Sequence, residues 1–422
     1  MIPHVVDDLF RHRWGQMVAG LCRVLGPGRL ALAEDVVQDA LLRALRVWPA
    51  EGVPEQPEAW VFRVARNLAL DALRRQKVGA RIEAELQHWA ANAAAPPPLD
   101  APRGALADDT LRMLFLCSHP AVPVDARVPL LLKTVCGFGV PAIARALLLK
   151  DTAVAQRLVR AKTKLQQGGI EFALPAAHEL PTRLGLVLQA IYLMFNEGYR
   201  AHAGGELVRA DLVVEAVRLA DLLLGEPATA TPTVHALLAL MLLLGARIPA
   251  RLDATGEIVT LADQDRAHWD RDWLRLGFHH FARSIAGDEL TAYHVEAAIA
   301  SLHAAAPTFA ATDWPRILGE YDRLLAIAPS PVVRLNRAVA LAKVHGPAAG
   351  LADLAPLADD RALRDYGLLA ATRAQLHWAA GNHDAAIADL EQALAQPCTQ
   401  PEQRLLQRRL AACRRGDPPP AW

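Results

Sequence analysis

Between residues 151 and 165 the apolar side chains Val154, Leu158, Ala161 and Leu165 recur at i, i+4, i+7 and i+11. Only an α-helix gathers that spacing into one stripe, so the segment is expected to bury one side and expose the other. The exposed side is cationic: Arg157, Arg160 and Lys164 stand at i, i+3 and i+7, flanked by Gln156 and Lys162. Ahead of it, Pro141 suits the first turn of a short helix running to Ala146, and residues 147–150 form a turn-length connection. Asp151 or Thr152 is expected to cap the second helix. The pattern is that of a helix-turn-helix whose second helix offers ligands for phosphates and base edges. An amphipathic hairpin with a solvated basic face is the alternative.

The same helical period governs the front of the chain. In AEDVVQDALLRALRVW, Val37, Leu41, Ala44, Leu45 and Trp48 share a stripe, leaving Asp35, Gln38 and Asp39 on another. In PEAWVFRVARNLALDALRRQK, Trp60, Val64, Leu68 and Leu73 are expected to turn inward, while Arg63, Arg66, Asn67, Arg74, Arg75 and Lys77 stay available. One helix thus presents carboxylates, suited to a basic protein partner, and the next presents cations, suited to a nucleic acid. A solvated helical hairpin accounts for the same pattern. The prolines of residues 90–103 suppress helix and predict an extended connector.

Charge divides the chain in the same way. Lys plus Arg and Asp plus Glu both number 45, yet residues 1–168 carry 22 basic and 16 acidic residues against 23 and 29 in residues 169–422. A polyanion partner is therefore expected at the front, and the acidic rear could contact that front within the molecule. Five cysteines, Cys22, Cys117, Cys136, Cys398 and Cys413, form no C-x-x-C pair, which points to reduced thiols rather than a zinc site or disulfide framework. MIPHVVDDLF has an acidic pair where an export signal has basic residues, and the apolar run at 237–244 is short for a bilayer, so a cytoplasmic protein with no membrane segment is expected.

The ordered blocks AEDVVQDALLRALRVW, AWVFRVARNLALDALRR, a linker and the helix-turn-helix resemble the core modules of extracytoplasmic-function (ECF) sigma factors, the small initiation subunits of the bacterial sigma-70 class. The resemblance implies an all-α fold with a region 2-like domain at 4–80, a linker at 81–107 and a region 4-like helix-turn-helix domain at 108–168. It implies that Asp35, Gln38 and Asp39 dock on core RNA polymerase. Trp60, Arg63, Asn67, Asp71, Arg74 and Arg75 would engage the −10 element of promoter DNA, and the loop at 49–58 would hold a flipped base. Gln156, Arg157 and Arg160 would read the −35 element, with Lys162 and Lys164 on phosphates.

Residues 169–422 are helix-patterned almost throughout. Gly346 and Gly381 lie 35 residues apart, each after an amphipathic helix and before a run of small residues, a period of stacked helix pairs. Gly381, Ala386, Leu390 and Ala393 fit a tetratricopeptide pattern, although His377 replaces an aromatic and the closing proline is displaced to Pro397. One partial repeat is expected near 314–329 and two after it, within 313–415, behind a helical middle domain at 169–312. IYLMFNEGYRAH, LADQDRAHWDRDW and DDTLRMLFLCSHP resemble the sigma-factor subgroup that carries such a C-terminal extension, which implies control of activity in cis.

Enzymatic chemistry is not expected. Glu197, Asp263, Asp265, His268, Asp270 and Asp272 include acid–base residue types but lack H-E-x-x-H, G-x-S-x-G or phosphate-loop spacing, Gly204 and Gly205 read as a turn, and the adjacent His279 and His280 cannot share a helix face. No metal or cofactor is implied. A helix-turn-helix repressor on a scaffold and a repeat-based adaptor remain as alternatives; the first leaves the acidic AEDVVQDA block unused and the second leaves the ordered front motifs unused.

Overall fold

The computed structural model describes residues 2–75, 105–147, 149–201, 205–358, 360, 363 and 366–420. Their fold is all-α: helices and short 3-10 turns, with one isolated bridge between Leu252 and Ile258 and no strand among the described residues. The chain divides into two compact units, residues 1–194 and 195–422. The expected connector at 90–103 lies outside the described residues, as do Lys77 and Gly204.

The first unit begins with three helices, α1 (Ile2–Leu25), α2 (Leu30–Glu51) and α3 (Pro57–Arg75). Positive φ at Gly26 (82°) and Gly52 (86°) ends the first two, a conformation that costs glycine little and other residues more. On α2 the expected stripe is buried at Val37, Leu41, Ala44 and Trp48, but Leu45 is 39% exposed. The period alone places Leu45 beside Leu41, yet among the described residues no neighbouring helix covers that edge. On α3 the stripe is rotated by about one residue: Val61, Ala65, Ala69 and Leu73 are buried, whereas Trp60, Val64 and Leu68 are only half-buried. Small alanines let α3 sit close to its neighbours, so the larger side chains stand to one side of the contact. Pro49 lies within α2 rather than in a loop, and the connection shortens to residues 52–56.

Four helices follow: α4 (Ala105–Cys117), α5 (Val124–Thr134), α6 (Val140–Ala146) and α7 (Asp151–Gln167). Pro141 occupies the first turn of α6 as expected. Val154, Leu158, Ala161 and Leu165 are all buried. The expected cap is not made: Lys150 is the N-cap of α7 and no side chain bonds there, so Asp151 acts only as a first-turn charge favourable to the helix dipole. The unit continues past residue 168 into α8 (Leu180–Tyr199). Arg183 of that helix is buried, donates to the Phe115 carbonyl at the end of α4, and pairs with Glu179 at 3.0 Å. Satisfying this buried guanidinium ties the start of α8 to the first unit.

In the second unit, α9 (Ala210–Leu224), α10 (Pro232–Gly245), α11 (Arg271–Ser284) and α12 (Ala292–Ala305) form one group. The stretch Pro232–Ala250, at 19 residues and a mean hydropathy of 1.7, is long and apolar enough to cross a membrane, but 78% of its most apolar window is buried in the protein. It is the core helix around which α9, α11 and α12 pack. Two glycines set its approach to α11. A Cβ on Gly245 would stand 2.4 Å from the Trp273 ring, and one on Gly277 would stand 2.8 Å from Leu243. Each helix thus seats a large side chain of the other in its own glycine gap.

The chain ends in α13 (Trp314–Ile327), α14 (Pro331–His345), α15 (Pro347–Leu354), α16 (Gly367–Ala379), α17 (His383–Leu394) and α18 (Gln400–Arg414), each packed on the next. Gly346 (φ 89°) and Gly381 (φ 78°) turn the chain between successive helices, and Ala386, Leu390 and Ala393 are buried in the pair that α17 makes with its neighbours.

Gly245→Ala is expected to lower stability by about 1–3 kcal/mol through overpacking against Trp273, despite the better helix propensity of alanine, as read by chemical denaturation. Burial, above all, holds His280 and His303 down to about 4 from the ordinary 6.5, helped by His235 beside the first and by Arg247 and Arg266 beside the second. The unfolded chain therefore binds more protons than the folded one below about pH 6.5. Stability should fall from about pH 6.5 to about 4 and then level, and a His280→Gln/His303→Gln variant should show a shallower fall in thermal melts.

Candidate nucleic-acid and polymerase interface

Two helices of the first unit carry the front set of predicted residues. Arg13 of α1 donates from Nε to Glu58 at 2.8 Å and so anchors the start of α3, while Trp48 and Trp60 meet edge to face with centroids 5.4 Å apart. These contacts fix α3 against α2. The face of α3 turned from the core then lines a recess of about 290 Å³ with Arg43, Val47 and Glu51 of α2 on one side and Trp60, Val64, Asn67, Leu68 and Asp71 on the other. The one-residue rotation of α3 is what brings Trp60 here: the aromatic is a wall of the recess rather than a member of the core.

Arg63, Asn67, Asp71 and Arg74 are exposed along the same helix. Asn67 accepts from the Arg66 guanidinium at 3.0 Å, and Arg74 stands 3.9 Å from Asp71. The sequence reading missed Arg43, Val47 and Glu51, which come from the preceding helix and join the set only through packing. Asp35, Gln38 and Asp39 are exposed on α2, on the opposite side from its buried stripe. The carboxyl of Asp35 is raised, first by partial burial and then by Glu34 and Asp39, against the lowering influence of Lys162 and Lys133.

On α7 the predicted cations have partners. Arg157 and Arg160 share one carboxylate, Asp125 of α5, at 3.1 and 2.9 Å. Gln156, Arg160 and Lys164 are exposed, with Val159 between them 65% exposed. An exposed β-branched residue amid cations is a surface that could meet a thymine methyl group. Lys162, expected on a phosphate, is turned instead to Glu34 of α2, with which it forms an ion pair. Glu34 is 4% exposed and its other oxygen accepts from the Thr134 hydroxyl at 2.9 Å. Asp125 and Glu34 lie far in sequence from α7, and nothing in the helical period marks them.

The acidic residues weighed for catalysis in the second unit are occupied otherwise. Asp265 accepts from the Ala267 amide and Asp270 from the Trp273 amide, each at 2.9 Å, so both cap helix starts. Asp272 is exposed beside Arg275 at 3.7 Å, and Glu197 is buried. His280 does not face His279 alone: it stacks on His235, with the two Nδ1 atoms 2.8 Å apart.

Comparison with known proteins finds two family matches along the chain. Residues 10–78 match sigma-70 region 2, and residues 183–285 match a family of unknown function, DUF6596. No solved structure matches the chain. The uncharacterized protein R00370 of Rhizobium meliloti (strain 1021) is 42% identical over 331 residues, which cover 78% of each chain. With a sigma-70 region 2 module built on α1 to α3 and a DUF6596 segment beyond it, the chain belongs to the same protein family as R00370 of Rhizobium meliloti.

Proposed function

We propose that this protein is an RNA polymerase sigma factor of the ECF type, which binds core polymerase through α2 and promoter DNA through α3 and α7. The observation that carries the reading is the sigma-70 region 2 match over residues 10–78. Two features of that module support it. Asp35, Gln38 and Asp39 form an exposed acidic edge on α2, suited to a basic protein surface. The recess walled by Trp60, Val64 and Leu68 and rimmed by Asn67 and Asp71 offers a flat aromatic and polar edges to an unstacked base.

The −35 role of residues 108–168 rests on a helix, α7, whose apolar stripe is buried and whose outer face carries Gln156, Arg157, Arg160 and Lys164. Two modest DNA contacts on one polymerase-tethered subunit reinforce one another, because tethering makes the second contact intramolecular. The protein itself performs no covalent chemistry in this reading. The acidic extension, with its stacked helices after residue 313, would regulate that activity in cis.

In vitro transcription with sigma-free core polymerase tests the reading: the protein should confer promoter-specific initiation, and failure to do so on a genomic promoter library would defeat it. Arg157→Ala and Arg160→Ala should each reduce −35-dependent transcription by about five- to a hundred-fold, the equivalent of about 1–3 kcal/mol, without loss of polymerase pull-down. Asp35→Arg should instead weaken the pull-down first. A reporter comparing the full chain with residues 1–194, a boundary that keeps Arg183 in place, tests the cis role; equal output from both would rule it out.

A further inference from the structure

The buried inner margin of the acidic edge of α2 already has an occupant. Lys162 of α7 is paired with Glu34, one residue before Asp35, and Lys162 and Lys133 both act electrostatically on Asp35. Around this pair the two halves of the first unit fit without slack. A Cβ on Gly15 of α1 would stand 2.4 Å from the carbonyl oxygen of Val135, which follows α5, and a Cβ on Gly28, in the turn before α2, would stand 3.4 Å from Cα of Gln166 on α7. Gly137, at φ 70°, rests on Phe10 and Trp14, and Arg23 of α1 reaches the buried Asp109 of α4 at 3.0 Å. The result is a clasped arrangement in which the cations of α7 are met from within: Lys162 by Glu34, Arg157 and Arg160 by Asp125.

We propose that the Glu34–Asp35 edge of α2 is an interaction surface with two competing occupants, Lys162 of α7 in the resting chain and a basic surface of core polymerase in the active one. This inference rests on the sigma-factor reading above. Glu34 is the hinge of the competition, since a buried carboxylate needs a cation or strong donors and Lys162 supplies the charge while α7 is docked. Undocking α7 strips Glu34 of that charge, leaves Lys133 of α5 as the cation acting on Asp35, and at the same time frees Lys162 for a phosphate. A basic partner on α2 restores what Glu34 loses. Polymerase binding and release of the −35 helix are then one linked equilibrium, and clasping lowers the apparent polymerase affinity by the fraction of molecules that are open.

A reversible lock tests this on the full chain. A Cβ on Gly28 would stand 3.4 Å from Cα of Gln166, which makes Gly28→Cys/Gln166→Cys the pair to join by oxidation and release by reductant, with the bond verified by loss of free thiol. The oxidised double variant should bind core polymerase at least about tenfold more weakly than the same protein after reduction, whereas Gly28→Cys alone should show no such dependence; a tenfold change corresponds to about 1.4 kcal/mol. Lys162→Glu, which sets two carboxylates against each other, should bind core more tightly than the parent chain. Equal binding by the oxidised and reduced double variant overturns the competition while leaving the sigma reading intact. Absence of core binding by the unmodified chain and by the reduced variant alike would remove the polymerase reading itself, and the competition with it.

Discussion

A carboxylate buried to 4% exposure organises the first unit. A side chain with two oxygens in that position requires donors, and the fold supplies two from the other half of the unit, the Thr134 hydroxyl and the Lys162 ammonium. Because both donors come from beyond residue 105, the helices of the region 2 module and those around α7 are held to one another by a polar requirement as well as by apolar contact. The glycines at 15, 28 and 137 make that contact possible by letting backbones and rings approach where a side chain would intervene. A buried pair of this kind contributes little net stability, because desolvation of the two charges offsets their attraction.

Charge pairing also decides what the surface offers a partner. Asp125 takes two arginines of α7, so that face presents less net charge than its residues suggest, and Arg160 and Lys164 remain the exposed cations beside Val159. On α2 the order is reversed: Asp35, Gln38 and Asp39 are exposed, with cations from α5 and α7 close behind. The two faces are therefore electrostatically complementary within one unit. In the second unit the same economy of charge appears in structural form, where Asp265 and Asp270 cap helices and Arg337 bridges Asp322 and Asp353.

Much of the architecture was legible because helices leave a periodic signature. The α7 stripe, the proline at the start of α6 and the glycine turns at 346 and 381 all follow from local rules and all appear in the fold. The departures share a cause. Leu45 is exposed, and Trp60, Val64 and Leu68 edge a recess instead of entering the core, because periodicity defines a stripe to within about one residue while the neighbouring helix decides which side of it is covered. Residues of opposite roles, Trp48 and Trp60, look alike in sequence; one is sealed and the other walls a cavity. The capping carboxylates at 265 and 270 resemble acid–base groups until their backbone partners are seen.

The amino-acid sequence by itself determined the helical class, each amphipathic face to within about one residue, the front-to-rear charge division and the order of the motif blocks, since all of these are properties of the linear chain and its local period. Only the tertiary structure decided which cations are spoken for. Lys162 with Glu34, and Arg157 and Arg160 with Asp125, join residues 128, 32 and 35 positions apart, and no local period carries information over such separations. A charged side chain declares its sign in the sequence, but whether it waits for a ligand or is already paired depends on which helices pack together.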